Sequence, residues 1–536
     1  MSHPFGNDRF RFGSAAFATE KDIKAAGLFR RSPHAIFLGF SGGKPLWYDG
    51  EGGLLLIAGA RSGKLRDILA YTICSGICSS ESLLLMDCKA EMSAISADQT
   101  PDRKHCYYWN PLALHGLPQH RVNPVAFLHA GSPTLISDIK VFVDGFMPRS
   151  GAASAAYFEL NGRRYAEAII LAVVERDGVL TLPNLYRVIT AIAEGGRAWR
   201  DFAWVMYSSG IELCRSVEAE IAAAREDSSG GFKGIIGELQ KAVTCLSDPV
   251  LQESLQPPYT FDLSNLCARD QPVQFYMMAP PEMIEPWAPV IKAFFTSAMI
   301  LKSRAPQAPR QTWILDECAQ LKGFDLVEKM FTYGAGIGIR PYAVFQHVNQ
   351  MDALSPNARR IIPASASVQS YFGIRQWETA RLVSDMLGAE TLDFDDLVAQ
   401  GRASSGSAAA LGAVLKGGDP FEAALGLDQQ RFESLHRHKQ RRMLRTPDEV
   451  LNMRSDRQFI FADGLPGAVY AERAPYWRQR FMAGRFLPNP FHPPLDRVRI
   501  KKGFGMRWRP VVTEPVPPEF ADYPQYQDGQ WSYVRR

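Results

Sequence analysis

The chain has 536 residues, which as a prior corresponds to three or four units of about 150 residues. Hydrophobic residues make up 46% and charged residues 22%, which excludes a disordered polymer, a collagen-like fibre and a coiled coil. The net charge of +4 is too mild to point to nucleic acid by itself. The eight cysteines, at 74, 78, 88, 106, 214, 245, 267 and 318, are scattered, and Cys74 and Cys78 have no second Cys/His pair to complete a metal site. They imply a reducing, cytoplasmic setting. No run reaches the roughly 18 apolar residues needed to span a bilayer, and MSHPFGNDRFRFGSAAFATE at the start carries no apolar signal core. The expectation is a soluble chain without a transmembrane segment, working in the cytoplasm or held peripherally at the inner membrane by partners.

In chain order, residues 35–40 and 44–48 predict two short strands around Ser41-Gly42-Gly43. Leu54–Ile57 predicts a fully buried strand that ends in a glycine-bearing loop, with a helix over 65–78. Ser82–Met86 predicts another buried strand, ending at Asp87. This alternation implies a parallel sheet with crossover helices. From about 155 to 255 the apolar periodicity turns helical and no strand of comparable strength intervenes, which predicts an all-α insertion. The strand pattern resumes at 272–278, followed by a helix at 285–303, a strand at 312–315, a helix at 319–333 and strands at 341–345 and 367–372. A helix at 376–387, a Gly/Ala/Ser-rich loop at 401–418 and a strand at Gln458–Ala462 follow. From about 485 a Pro- and aromatic-rich basic tail predicts extended linker without a core. The expected organisation is therefore 1–150 as an N-terminal segment and first part of the α/β domain, 151–265 as the all-α insertion, 266–484 as the second part of that domain, and 485–536 as tail.

Three motifs carry chemistry. Ala58-Gly59-Ala60-Arg61-Ser62-Gly63-Lys64-Leu65 lies between a buried strand and a helix start, the context of a phosphate loop. Its backbone N–H groups would wrap a polyphosphate at the positive end of the helix dipole, and Lys64 would reach the β- and γ-phosphates. Ala58 stands where the pattern has its first Gly, and Leu65 stands where it has the Ser or Thr that ligates Mg²⁺. The bland alternative is a plain strand–helix turn. Second, Trp313-Ile314-Leu315-Asp316-Glu317 is an apolar strand ending in two carboxylates. Asp316 would hold Mg²⁺ and Glu317 would polarise an attacking water, unless the pair merely caps the next helix. Third, Gln346 follows the strand Pro341–Phe345, where it would sense the γ-phosphate. All three would project at the carboxyl ends of parallel strands, where open α/β sheets bind ligands. Lys64 and Asp316 are 252 residues apart, and the helical insertion accounts for that distance. Asp87 and Lys89, in Asp87-Cys88-Lys89-Ala90-Glu91, end a neighbouring strand close to the same pocket.

These blocks resemble the type IV secretion coupling proteins, the TraG-like conjugative DNA-transfer ATPases, from about Gly13 to Phe481. AGARSGK is similar to the family's phosphate loop, MDCKAE to its Asp-Pro-Lys-Gly-Glu element and WILDECAQL to its Leu-Asp-Glu-Phe-Ala segment. GAGIGIRPYAVFQHVNQM, YFGIRQWETARLVSDMLG and RRMLRTPDEV follow in the family's order. The resemblance implies an α/β fold: a RecA-like P-loop NTPase core with a mainly parallel sheet, interrupted by an all-α insertion domain. It further implies ATP and Mg²⁺ as cofactors and assembly as a homo-hexamer. The implied partners are the secretion channel, inner-membrane components, and a relaxase–DNA complex or protein effectors, with single- or double-stranded DNA as cargo. In such rings an arginine of one subunit completes its neighbour's ATP site, and Arg340 and Arg375 are the candidates here.

The departures from the family pattern are Leu65-Arg66-Asp67, where small residues are common, Cys88 in place of Pro, Ala90 in place of Gly, and the missing N-terminal anchor. Two other functions compete with the motor: a degenerate docking subunit that does not hydrolyse ATP, and an FtsK-like DNA translocase. Two basic stretches, His436–Arg445 and Arg497–Arg509, are candidates for phosphate or lipid-headgroup contact, or simply solvated surface.

Overall fold

The computed structural model describes residues 13–74, 80–97, 105–147, 154–226, 231–395 and 437–534, the last stretch with short gaps. The loop at 401–418 and Cys78 lie outside the described residues.

An 11-stranded sheet organises the molecule. Its strands are β1 (Ile36–Ser41), β2 (Lys44–Tyr48), β3 (Gly53–Ala58), β4 (Ser82–Asp87), β5 (His105–Trp109), β6 (Val273–Met278), β7 (Gln311–Leu315), β8 (Ile339–Phe345), β9 (Ala366–Phe372), β12 (Arg457–Ala462) and β13 (Val469–Glu472). Between β9 and β12 in the chain, β10 (Ala389–Asp395) and β11 (Arg437–Met443) form a separate antiparallel ribbon. The spatial order is β2-β1-β13-β12-β9-β3-β8-β7-β4-β6-β5. From β9 to β5 every pairing is parallel, and from β2 to β9 every pairing is antiparallel. The central strands are uninterrupted apolar runs because both faces of the sheet are covered. Leu54, Leu56 and Ala58 of β3 enter one core while Leu55 and Ile57 enter the other, as strand alternation requires.

Between β5 and β6 the chain forms helices α4 (Leu135–Phe146), α5 (Ala156–Asp177), α6 (Leu182–Glu194), α7 (Gly196–Tyr207), α8 (Glu212–Glu226), α9 (Gly231–Val243) and α10 (Pro249–Ser254). Before them in the chain come α1 (Glu20–Ala25), α2 (Ala70–Cys74) and α3 (Glu91–Ser96). Helix α5 is apolar nearly all round in its second half, where Ala168 to Val174 are buried. It can be so because α4, α6, α8 and α9 pack around it. This bundle shares one continuous core with one face of the sheet, reached through α11 (Pro281–Arg304) against α4. Helix α11 starts four residues earlier than its apolar pattern alone predicts, with Pro281 at its first position, where the missing N–H costs nothing.

Three expectations need correction. The predicted 319–333 helix is a 3₁₀ turn at Cys318–Leu321 followed by α12 (Leu326–Ile337), because Gly323 takes φ +67° between them. The basic stretch near 437–443 is the strand β11 rather than a loop, and Arg442 lies opposite Glu390 at 3.8 Å. The tail is not extended linker. Phe486 and Leu487 are buried in the second core, the Leu487 N–H donates to the Ile95 carbonyl (2.7 Å), and β14 (Arg497–Lys502), β15 (Gly505–Pro515) and β16 (Gln530–Val534) form their own antiparallel sheet.

Candidate nucleotide site

The phosphate loop leaves β3 at Ala58 and enters a π-helical turn at Leu65–Leu69 that continues as α2. Two loop positions need unusual backbone: Gly63 has φ +92° and Arg61 φ +58°. Gly59 has a different reason to be glycine, since a Cβ there would lie 2.1 Å from the Gly373 carbonyl oxygen. The loop is thus seated directly on the turn that ends β9, and the Gly59 N–H donates to the Phe372 carbonyl.

Strand order brings the other motifs alongside. Strand β8 lies between β3 and β7, so Gln346 stands between the loop and the Asp316-Glu317 pair. Lys64 Nζ is 2.9 Å from Asp316 Oδ1 and 2.5 Å from Glu317 Oε1. Gln346 Nε2 donates to the other Glu317 oxygen at 3.0 Å. Four side chains from three strands, drawn from positions 64 to 346, therefore meet at the carboxyl edge of the parallel sheet. Glu317 adopts φ +52°, the left-handed region that costs a non-glycine residue about 1 kcal/mol or more. Such strain persists where the surroundings fix it, and here Lys64 and Gln346 hold its carboxylate.

The electrostatics follow from burial and proximity. Burial opposes the charge on Lys64, but attraction to Asp316 and Glu317 outweighs it and raises the ammonium pKa. Burial also opposes ionisation of Glu317, yet Lys64 and the Gln346 hydrogen bond outweigh that, and the carboxyl sits below its ordinary range. For Asp316 the balance is reversed: desolvation dominates over the Lys64 attraction, and its pKa rises. The two adjacent carboxylates are thus pushed apart, with Glu317 ionised at neutral pH. The Cys88 thiol donates to the Asp316 carbonyl oxygen at 3.1 Å.

The remaining predicted residues divide. Lys89 is exposed and close enough to Glu317 to favour its ionised form. Arg375 is exposed just beyond the carboxyl end of β9. Asp87 is 2% exposed, and one carboxylate oxygen accepts from the Ser93 N–H (2.7 Å) and hydroxyl (2.9 Å). Desolvation pushes its pKa up to about 7. Its work is to cap α3, and it reaches the site only through repulsion with Asp316, so direct nucleotide contact is withdrawn. Arg340 is also corrected. It is fully buried at the start of β8, the opposite end from Gln346, and pairs with Glu81 at 2.9 Å. It also donates to Thr312 Oγ1, the Gly50 carbonyl and the His34 carbonyl. An arginine so committed is not available to a neighbouring subunit.

Sequence reasoning passed over Arg473, which follows β13. Its Nη1 donates to the Ser62 carbonyl (2.9 Å) and to Asp67 Oδ2 (2.8 Å), beneath the phosphate loop. Asp67, an unusual residue at a phosphate-loop helix start, was the only local signal.

A seven-stranded parallel array with a phosphate loop on a central strand and an Asp-Glu pair two strands away defines the class: a RecA-like P-loop NTPase. Comparison with known proteins then gives the family. The model of the family described as type IV secretory system conjugative DNA transfer matches residues 9–410. The chain is 21% identical over 540 residues to a conjugal transfer protein TraG of Escherichia coli, covering 89% of this chain and 79% of that one. Among solved structures, the bacterial conjugative coupling protein TrwB in its unbound monoclinic form superposes with a TM-score of 0.60 at 15% identity, over 88% of this chain and 97% of that one. TrwB in complex with ADP and Mg²⁺ gives 0.56 at 14% identity, over 86% and 93%. The chain belongs to the type IV secretory system conjugative DNA transfer family and is a type IV coupling protein. Among the described residues no helix is long and apolar enough to cross a membrane.

Proposed function

We propose that this coupling protein is an ATP-driven motor, working as a homo-hexamer, that recruits DNA–protein or protein cargo and passes it to a secretion channel. The observation that carries the reading is the convergence of Lys64, Asp316, Glu317 and Gln346 at one sheet edge. TrwB in complex with ADP and Mg²⁺, and with a non-hydrolysable ATP analogue, supports it.

In the arrangement described, Lys64 neutralises Asp316 and Glu317. A triphosphate entering the loop competes for that ammonium, which then moves from the carboxylates to the β- and γ-phosphates. The loop N–H groups other than those of Gly59 and Ser62, which donate to the Phe372 and Gly59 carbonyls, bind the phosphate oxygens. Glu317, released from Lys64 and already ionised, orients a water and takes its proton, while Gln346 holds the carboxylate at the γ-phosphate end. Asp316 would hold Mg²⁺, whose charge, when bound, neutralises the phosphate oxygens. The donor set fits. Mg²⁺ is bound through one or two carboxylates plus phosphates and water, and among the described residues no three His, Cys, Asp or Glu side chains form an all-protein cage. Arg375 is the remaining candidate to act across a subunit interface. The helices from α5 to α10, within about 151–265, form the cargo-selecting domain.

Steady-state ATPase assays with and without single-stranded DNA test this. Lys64→Ala and Glu317→Gln should each lower turnover by about 10²–10⁴-fold, the scale of a general base, with Glu317→Gln still binding nucleotide. Unchanged turnover in either variant refutes the assignment. Leu65 favours a second reading, a docking subunit that binds nucleotide without turning it over. ATP binding by the wild-type chain with no phosphate release would select it.

A further inference from the structure

Beneath the phosphate loop lies a buried ion pair that the nucleotide chemistry does not use. Asp67 and Arg473 are 2% and 1% exposed at their side chains and 2.8 Å apart. They are 406 residues apart in sequence. All three guanidinium nitrogens of Arg473 donate hydrogen bonds. Nη1 serves Asp67 and the Ser62 carbonyl, Nε serves the Arg457 carbonyl (3.2 Å), and Nη2 serves the Ser455 carbonyl. Its guanidinium lies 3.8 Å over the Phe372 ring, at the end of β9 where Gly373 seats the loop. Asp67 is gripped on its other side by Arg66, with contacts of 2.7 and 2.9 Å. A Cβ at Gly63 would come within 2.8 Å of Asp67 Oδ2, so the loop closes directly over this pair.

We propose that Arg473 is the positioning residue of the phosphate loop. By holding the Ser62 carbonyl down toward the buried pair, it leaves the N–H of the same peptide, that of Gly63, turned toward the phosphates. The loop is then set before nucleotide arrives, so less ordering is needed on binding. The Leu-Arg-Asp that follows Lys64 has a structural reason in this light. Asp67 is the carboxylate that lets a guanidinium be buried under the loop, and burial alone would lower the Arg473 pKa, which stands at about 10. The pair also ties the site to the antiparallel edge of the sheet, since Arg473 sits at the end of β13 and braces the 455–457 segment that enters β12.

The inference rests on reading Ala58–Leu65 as a nucleotide site, and the test separates the two. Removing one partner strands a buried charge and would unfold the chain for uninformative reasons. The informative variant is therefore Asp67→Leu with Arg473→Met, which removes both charges at similar volume. Arg473→Lys is the conservative partner, because Lys reaches Ser62 and Asp67 but not all four acceptors. On the full chain, ATP affinity is measured with a fluorescent ATP analogue, alongside KM and kcat. The double variant should stay folded and lose about tenfold or more in affinity, as expected for loss of a hydrogen bond from a charged donor. KM should rise more than kcat falls, and Arg473→Lys should lie between. A folded double variant that binds ATP like the wild type overturns the proposal. If the double variant does not fold, an unchanged affinity for Arg473→Lys overturns it. Wild-type protein that binds no ATP overturns the nucleotide reading itself.

Discussion

The two ends of the parallel sheet each bury an ionic cluster, and they are built differently. At the amino end Glu81 is fully buried and accepts from Arg310 (2.6 Å), Arg340 (2.9 Å) and Thr312 (2.8 Å), with His34 Nδ1 at 2.9 Å. Arg340 is equally buried and spends its remaining donors on Thr312 Oγ1 and on backbone carbonyls. At the carboxyl end Lys64 and Glu317 keep 19% and 16% of their side chains exposed, and Glu317 sits on strained backbone. The first cluster sets Arg310 and Arg340 against Glu81 and Asp49, which lies 3.6 Å from Arg310, so each arginine has a carboxylate within the chain. In the second, the lysine pairs with carboxylates that a polyphosphate can replace. A saturated ionic cluster is architecture, whereas an accessible one with exchangeable partners can do chemistry.

The sharpest way to break this contrast is at Arg340. Arg340→Met leaves Glu81 buried with fewer cations, and loss of one partner of a buried pair costs about 3–5 kcal/mol. Urea unfolding should show that loss, while the folded fraction keeps its ATP affinity. Retained stability with lost ATP binding would move Arg340 from architecture to function.

A smaller effect separates Asp87 from the site it adjoins. Its pKa is raised by burial to about 7, from an unfolded value near 3.8. Between those values the native state holds a proton that the unfolded state has lost, so this group's contribution to stability falls as pH rises from about 4 to 7. Asp87→Asn should remove that slope. A difference between wild type and variant that is flat across this window would contradict the burial-driven shift. The smallest effect is expected at Ala90, which has φ +56° at the start of α3. Ala90→Gly should stabilise the chain by up to about 1 kcal/mol, the cost of a Cβ in the left-handed region, visible as a small rise in Tm.

Much of the cluster at the carboxyl edge was legible in the sequence because its parts are local: a buried strand must end somewhere, and the loop carrying Lys64, the Asp316-Glu317 pair and Gln346 each follow one. The place of Arg340 was legible too, had the strand been counted. It lies six residues before Gln346, which directly follows the same strand, about 20 Å away at 3.3 Å per residue. The antiparallel half of the sheet was less legible. β13 has only four residues, and pairing between β1 and β13 joins positions more than 400 residues apart, which no local periodicity reports. Arg473 was invisible for the same reason, since its value lies wholly in long-range contacts with Ser62 and Asp67. The tail misled because its Pro and aromatic content suggested linker, while Phe486 and Leu487 bury against α3 and its surroundings.

The central claim is that the accessible cluster at the carboxyl end is where nucleotide binds, and thermal unfolding with and without ATP and Mg²⁺ tests it most directly. A ligand at about 100 times its Kd stabilises the native state by about 2.7 kcal/mol. The wild-type chain should therefore show a clear rise in Tm, and Lys64→Ala, measured against its own Tm without ligand, should show little or none. An equal rise in the two proteins would contradict the account.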